Sequence, residues 1–197
     1  MSPDPQDAPL GALVLVVGPS GAGKDSVLAA ARARLPADAP IRFQRRVITR
    51  PAEAGGEDHE PIDEAGFAER VECGGFALHW AAHGLRYGLP AALEGDLAAG
   101  WTVVANASRG ILGQARAKYP RLSVLHITAP DAVLAARLAA RGRETADQIE
   151  ARLARAGYAA PRGPRVVEIV NHGALEDAAR RVADLLLDLS RTAGPAG

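Results

Sequence analysis

The sequence predicts an α/β fold of three layers, a parallel sheet with helices on both faces. Apolar, β-branched runs such as Ala12–Val17 read as buried parallel strands. Segments of helical spacing alternate with these runs along the chain, as crossover connections require. Directly after the first run stands Gly18-Pro19-Ser20-Gly21-Ala22-Gly23-Lys24. Strand, Gly-x-x-x-x-Gly-Lys and helix, in that order, form a phosphate-binding loop, so the fold is expected to be that of a P-loop NTPase.

The elements follow in order. Met1–Pro9 is a Pro/Asp-rich tail, expected to be mobile. Ala12–Val17 is the first strand and Ser26–Leu35 the first helix, closed by the Pro36–Pro40 loop. Ile41–Val47 is a short strand carrying three arginines. Thr49–Pro61 is too long and too charged for a plain connector and suggests a binding segment. Asp63–Cys73 has helical spacing, with Phe67 and Val71 on one face. Phe76–Ala82 alternates as a strand, and the His83–Gly88 turn leads into another. Pro90–Ala99 is a helix with proline in its first turn. Then come a strand at Trp101–Ala105, a helix at Ser108–Lys118, a strand at Leu122–Thr128 and a helix at Pro130–Arg141. Arg143–Asp147 is a charged break, and a helix resumes over Ala146–Ala156. Arg165–Val170 is the last strand and Leu175–Ser190 the closing helix. Nothing divides the chain, so residues 10–191 are expected to form one domain.

Composition narrows the function. Lys plus Arg and Asp plus Glu both number 23, so no net charge points to nucleic acid. One cysteine, Cys73, excludes a disulfide framework and a multi-cysteine metal site. No apolar run approaches the ~20 residues of a membrane span, and no signal peptide is visible at the N-terminus. A cytoplasmic protein is expected, without nucleic-acid or membrane partners; homodimerisation stays open.

The chemistry begins at the loop. Gly18, Gly21 and Gly23 let successive N–H groups point at a phosphate, and the following helix adds its positive dipole end. Lys24 sets a point charge against the β- and γ-phosphates of a nucleoside triphosphate. The residue after the lysine is ordinarily Ser or Thr, as an Mg²⁺ ligand. Here it is Asp25, followed by Ser26, and either could serve as the ligand. Residues 18–26, with Pro19, Ser20 and Ala22 among them, are the expected nucleoside-triphosphate site, which the resemblance given below makes an ATP site. Phosphoryl transfer also needs positive charge around the transferring group. Arg45, Arg46 and Arg50, then Arg109, then Arg137, Arg141, Arg143, Arg152 and Arg155 supply it, and arginine forks match phosphate oxygens. His59 stands among acids and His83 at a Gly-containing turn. Trp80 and Trp101 read as core.

These residues resemble the guanylate kinases: the phosphate loop, Thr49-Arg50-Pro51, Gly84-x-x-Tyr87-Gly88, and Arg137-Leu138-x-x-Arg141-Gly142-Arg143, with Asn171 ahead of Leu175-Glu176. The resemblance spans about Leu13 to Leu187. The acceptor-binding positions there differ: Leu78 stands at the place of the glutamate that reads guanine, His59 at that of a tyrosine that binds the acceptor phosphate, and Leu89 at that of a hydroxyl residue. The chain is more similar to the ribose 1,5-bisphosphate phosphokinases of phosphonate catabolism, through Lys24-Asp25-Ser26, Gly56-Glu57-x-His59, Leu78-x-Trp80-x-Ala82-His83-Gly84, Asn106-x-Ser108-Arg109 and Arg141-Gly142-Arg143-Glu144.

That resemblance implies a nucleoside-monophosphate-kinase-like parallel sheet with an acceptor-binding segment at about 42–90 and a lid at about 141–155. It implies ATP-dependent phosphorylation of ribose 1,5-bisphosphate to 5-phospho-α-D-ribose 1-diphosphate, with Mg²⁺. Lys24, Arg141, Arg143 and Arg152 are then the catalytic set. Arg46, Arg50, His59, His83, Tyr87 and Arg109 would hold the sugar phosphates, and Asp25 and Ser26 the metal. A guanylate kinase and a catalytically inactive binding module are the rival expectations.

Overall fold

The computed structural model describes residues 11–52, 57–140 and 160–192. The expected tail at 1–9, the lid at 141–155 and the helix at 146–156 lie outside them. Five parallel strands form the main sheet: β1 (Leu13–Val17), β2 (Ile41–Gln44), β7 (Thr102–Asn106), β8 (Leu122–Thr128) and β9 (Val166–Val170). Their order is β2-β7-β1-β8-β9, with β1 at the centre. Every β1 side chain is buried, as expected of a strand covered on both faces.

The two faces carry separate cores. On one, Val14 and Val16 pack with Val27 and Ala31 of α1 (Lys24–Arg32) and with Ala179, Val182 and Leu186 of the last helix, Leu175–Arg191. On the other, Leu13, Leu15 and Val17 pack with Leu93, Ile111, Leu112 and Ala115. Each such side chain contributes roughly 1.5–3 kcal/mol by leaving water.

A second sheet lies on this latter face, and the sequence reading did not anticipate it. It has the order β4-β3-β6-β5, built from β3 (Arg46–Ile48), β4 (His59–Pro61), β5 (Phe76–Ala82) and β6 (Leu85–Pro90). β3 runs parallel to β4 and antiparallel to β6, and β5 and β6 form a hairpin. The hairpin turn is His83-Gly84, with φ of 53° and 73°. Positive φ at both central residues suits a tight turn whose twist matches the strands. Between β4 and β5, α2 (Glu64–Glu72) is capped by Asp63, whose carboxylate accepts from Gly66 N–H at 2.7 Å.

Three expected boundaries are corrected. Ile41–Val47 is not one strand: the chain leaves the main sheet after Gln44 and joins the second at Arg46. Side-chain pattern alone cannot show where hydrogen-bond partners change. Pro90 does not start a helix; it ends β6 opposite Phe76, where a missing N–H is tolerated, and α3 is Leu93–Ala98. The Ser108–Lys118 helix opens as a 3₁₀ turn, Arg109–Ile111, capped by Ser108, before α4 (Leu112–Lys118). Helix α5 spans Asp131–Ala140 and α6 is Leu175–Arg191.

Candidate active site

The phosphate loop leaves the carboxyl end of the central strand, where open α/β sheets bind ligands. Its backbone tolerates only glycine at two places. A Cβ on Gly18 would lie 1.9 Å from the Ile127 carbonyl oxygen of β8, and Gly23, at φ 80°, would drive one to 2.7 Å from Asn171. Asn171 is buried just beyond β9, and its side-chain amide donates to the Ala22 carbonyl at 2.8 Å. The Arg137 guanidinium of α5 approaches the Gly21 and Ala22 carbonyls at 3.4 and 3.5 Å. The loop is thus held from behind by two side chains. Gly23 is the first residue before α1, and no side chain caps that helix, so its leading N–H groups suit an anion. The Lys24 ammonium donates to the Gly18 and Pro19 carbonyls at 3.0 and 3.1 Å, across the mouth of the loop.

A cavity of about 330 Å³ opens between this loop and the second sheet. Gly18, Pro19, Ser20 and Lys24 form one wall; Arg46, Trp80, His83 and Tyr87 form another; Arg109 closes a third side from the start of the 3₁₀ turn. Among the described residues that line it there is no Asp or Glu. Lys24, Arg46 and Arg109 with His83 suit an anionic ligand. Tyr87 stands directly across the hairpin from Trp80, and their rings stack at 5.6 Å with 7° between planes. The Arg46 guanidinium lies over both rings, 4.9 Å from the Tyr87 centroid and 6.0 Å from that of Trp80.

Arg46 is also gripped from the other side. Its guanidinium pairs with Glu57 at 2.6 Å, and the second oxygen of Glu57 accepts from the Asn106 amide at 3.2 Å. The same amide donates to Asp25 at 2.7 Å. A chain of contacts therefore runs from α1 through the end of β7 to the arginine of the cavity. Asp25, Asn106 and Glu57 line a neighbouring cavity of about 290 Å³ that shares Arg46 with the first. Asp25 and Ser26 are both exposed; Ser26 lines neither cavity.

Of the expected sugar-phosphate residues, Arg46, His83, Tyr87 and Arg109 come together at the loop. Arg50 and His59 do not reach this cavity. His59 is buried, with Nδ1 at 3.3 Å from the Arg50 guanidinium and 3.0 Å from the Glu57 carbonyl, and Nε2 at 3.0 Å from the Arg50 carbonyl. Its ring braces the segment that presents Glu57. Arg141, Arg143 and Arg152 lie outside the described residues.

Two residues escaped the sequence reading. Trp80, read as core, is only partly buried and walls the cavity; its position across from Tyr87 near the ligand end of a hairpin was the available signal. His126, in register with Val17 on β8, is buried close to Lys24 and Arg109. Burial, first, and those two cations hold its pKa below the usual histidine value, against Glu168, whose carboxylate sits 3.1 Å from Nδ1. A polar residue in an apolar parallel strand, next to the ligand end, marked it. Trp101, also read as core, is partly buried, with the Arg42 guanidinium 4.2 Å over its ring.

Comparison with known proteins gives a consistent picture. The chain is 54% identical over 149 residues to a ribose 1,5-bisphosphate phosphokinase PhnN of Brucella melitensis, covering 76% of this chain and 78% of that one. It is 48% identical over 182 residues to a bifunctional ribose 1,5-bisphosphokinase-thymidine phosphorylase of Cupriavidus necator, covering 92% of this chain and 30% of that one, so it spans under a third of that relative's length. No protein-family model matches. Among solved structures, the guanylate kinase of Anaplasma phagocytophilum superimposes with a TM-score of 0.61 at 20% identity over 90% of this chain and 85% of that one, which shows the fold.

Proposed function

The chain belongs to the ribose 1,5-bisphosphate phosphokinase family, and from that premise we propose that it transfers the γ-phosphoryl of ATP to ribose 1,5-bisphosphate, in the cytoplasm, as a step of phosphonate breakdown. An oxygen of the 1-phosphate forms the new P–O bond as the bond to the ADP leaving group breaks. The products are 5-phospho-α-D-ribose 1-diphosphate and ADP.

One observation carries the acceptor assignment. The cavity beside the phosphate loop presents Lys24, Arg46, Arg109 and His83 with no carboxylate among its described lining residues. A bisphosphate brings charge and hydroxyls but no base, and this lining meets it. Leu78, where a guanylate kinase would need a carboxylate to read its base, is fully buried in apolar core. The intact glycine loop and Lys24 speak against a module that has lost catalysis.

The residues divide as follows. Residues 18–24 cradle the triphosphate of ATP, with Lys24 on the transferring end. The exposed Asp25 carboxylate and Ser26 hydroxyl at the head of α1 fit a hydrated Mg²⁺, which when bound neutralises phosphate charge. Arg46, His83, Tyr87 and Arg109 touch the acceptor, while Arg50 and His59 position the segment that carries Glu57. Arg141, Arg143 and Arg152 are assigned by resemblance to the closing lid.

The test is product formation with Mg²⁺ and ATP on ribose 1,5-bisphosphate and on GMP in parallel. Turnover of the bisphosphate with GMP inert, and loss of that turnover in Lys24→Ala, is the expected result. Turnover of GMP alone would overturn the acceptor assignment.

A further inference from the structure

We propose that Trp80 is the specificity wall of the acceptor cavity: its indole closes the side of the cavity that borders the apolar floor of Leu78 and Leu89, and so confines the acceptor to a small, baseless sugar phosphate. The inference rests on the acceptor reading above and names the residue that narrows it.

The placement follows from strand alternation. Leu78, Trp80 and Ala82 share one face of β5. Leu78 is fully buried with Leu89 and Leu93, whereas Trp80 and Ala82 line the cavity. Trp80 thus stands between the cationic cavity and an apolar floor. A smaller residue there would leave a slot running from the cavity toward Leu78 and Leu89. The indole is not free to swing out of that slot. It is stacked on Tyr87, its direct cross-strand partner, and roofed by the Arg46 guanidinium, which Glu57 holds in turn. Volume points the same way. At about 330 Å³ the cavity sits near the bottom of the ~300–1,000 Å³ range of small-molecule pockets.

The test reads binding, so that it does not depend on turnover. Titration calorimetry with ribose 5-phosphate and with GMP gives the ratio of their affinities in the wild type, Trp80→Phe and Trp80→Ala. The expected result is a ratio that moves toward GMP by about tenfold or more in Trp80→Ala, with Trp80→Phe between, as removal of a steric block requires. A ratio that stays put in both variants overturns the proposal. So does a ratio that moves against GMP, which would mean that the indole stacks a base. Should Trp80→Ala fail to fold, Trp80→Phe carries the comparison. Absence of ribose 1,5-bisphosphate turnover in the wild type would sink the proposed reaction and leave this ratio standing; an unmoved ratio beside intact turnover would do the reverse.

Discussion

Asn106 joins two halves of the site: its side-chain amide donates to Asp25 at the head of α1 across 2.7 Å. The same nitrogen reaches Glu57, which holds Arg46 in the cavity beside the phosphate loop. Hydrogen bonds to charged groups contribute about 1.5–3 kcal/mol, and partial exposure here favours the lower end. Asn106→Ala should therefore reduce kcat/KM by about tenfold. Because the amide touches both sides, KM for the nucleotide and for the acceptor should rise together. Steady-state kinetics with each substrate varied checks this. A rise in only one of the two would mean that the contacts are not coupled.

Asn171 acts on the loop from behind. Buried after β9, it satisfies the Ala22 carbonyl at 2.8 Å. Truncation removes that acceptor's short partner and leaves it the Arg137 guanidinium at 3.5 Å, at a cost of about 1–3 kcal/mol. Asn171→Ala should lower the unfolding free energy by that amount in urea titration and weaken ATP binding. Asn171→Asp replaces the donor with a carboxylate facing a carbonyl, and should do worse in both measurements.

Much of the main sheet was legible, because buried parallel strands write themselves as apolar runs. Leu13–Val17 and Leu122–Thr128 lie within a residue of their expected spans. The glycine loop was legible for a different reason: few other residue types tolerate its backbone at Gly18 and Gly23. The second sheet was hidden. Its strands β3 and β4 are three residues each, too short to show a period, and β3 is continuous in sequence with β2 of another sheet. Individual cations in the site, such as Arg46 and Arg109, could be picked out by type. Which of them share a cavity depends on that second sheet, and so Arg50 and His59 were grouped with residues they do not join.

His126 gives the molecule an acid-sensitive point. Its pKa is held below the ordinary 6.5, chiefly by burial, so the folded state favours the neutral ring. As pH falls through about 6.5 the unfolded chain takes up a proton that the folded chain resists, and stability is lost. Melting temperature should thus decline between pH 7 and pH 5, and His126→Gln should flatten that decline. Glu168→Gln removes the partner that favours the charged ring, lowers the pKa further and should steepen it. Calorimetric scans of the three proteins at pH 5, 6 and 7 distinguish these slopes; parallel curves for all three would contradict the assignment.

Arg46 tests whether shape or charge matters in the acceptor cavity. Its guanidinium is held by the ion pair with Glu57 at 2.6 Å and lies over the Tyr87 ring at 4.9 Å and the Trp80 ring at 6.0 Å, while it lines the cavity. A lysine keeps the charge but loses the planar fork that can face a carboxylate and an aromatic ring together. Arg46→Lys should therefore raise the acceptor KM by about tenfold, because a cation remains but is no longer held in place. The nucleotide KM should move by less than about twofold, since in the proposed reaction Lys24 and the glycine loop hold that substrate. Arg46→Ala should exceed the lysine variant in its effect on the acceptor. Equal losses in the two would show that the fork is what counts; full activity in the lysine variant would show that charge alone suffices and that the stack over Tyr87 is incidental to acceptor binding.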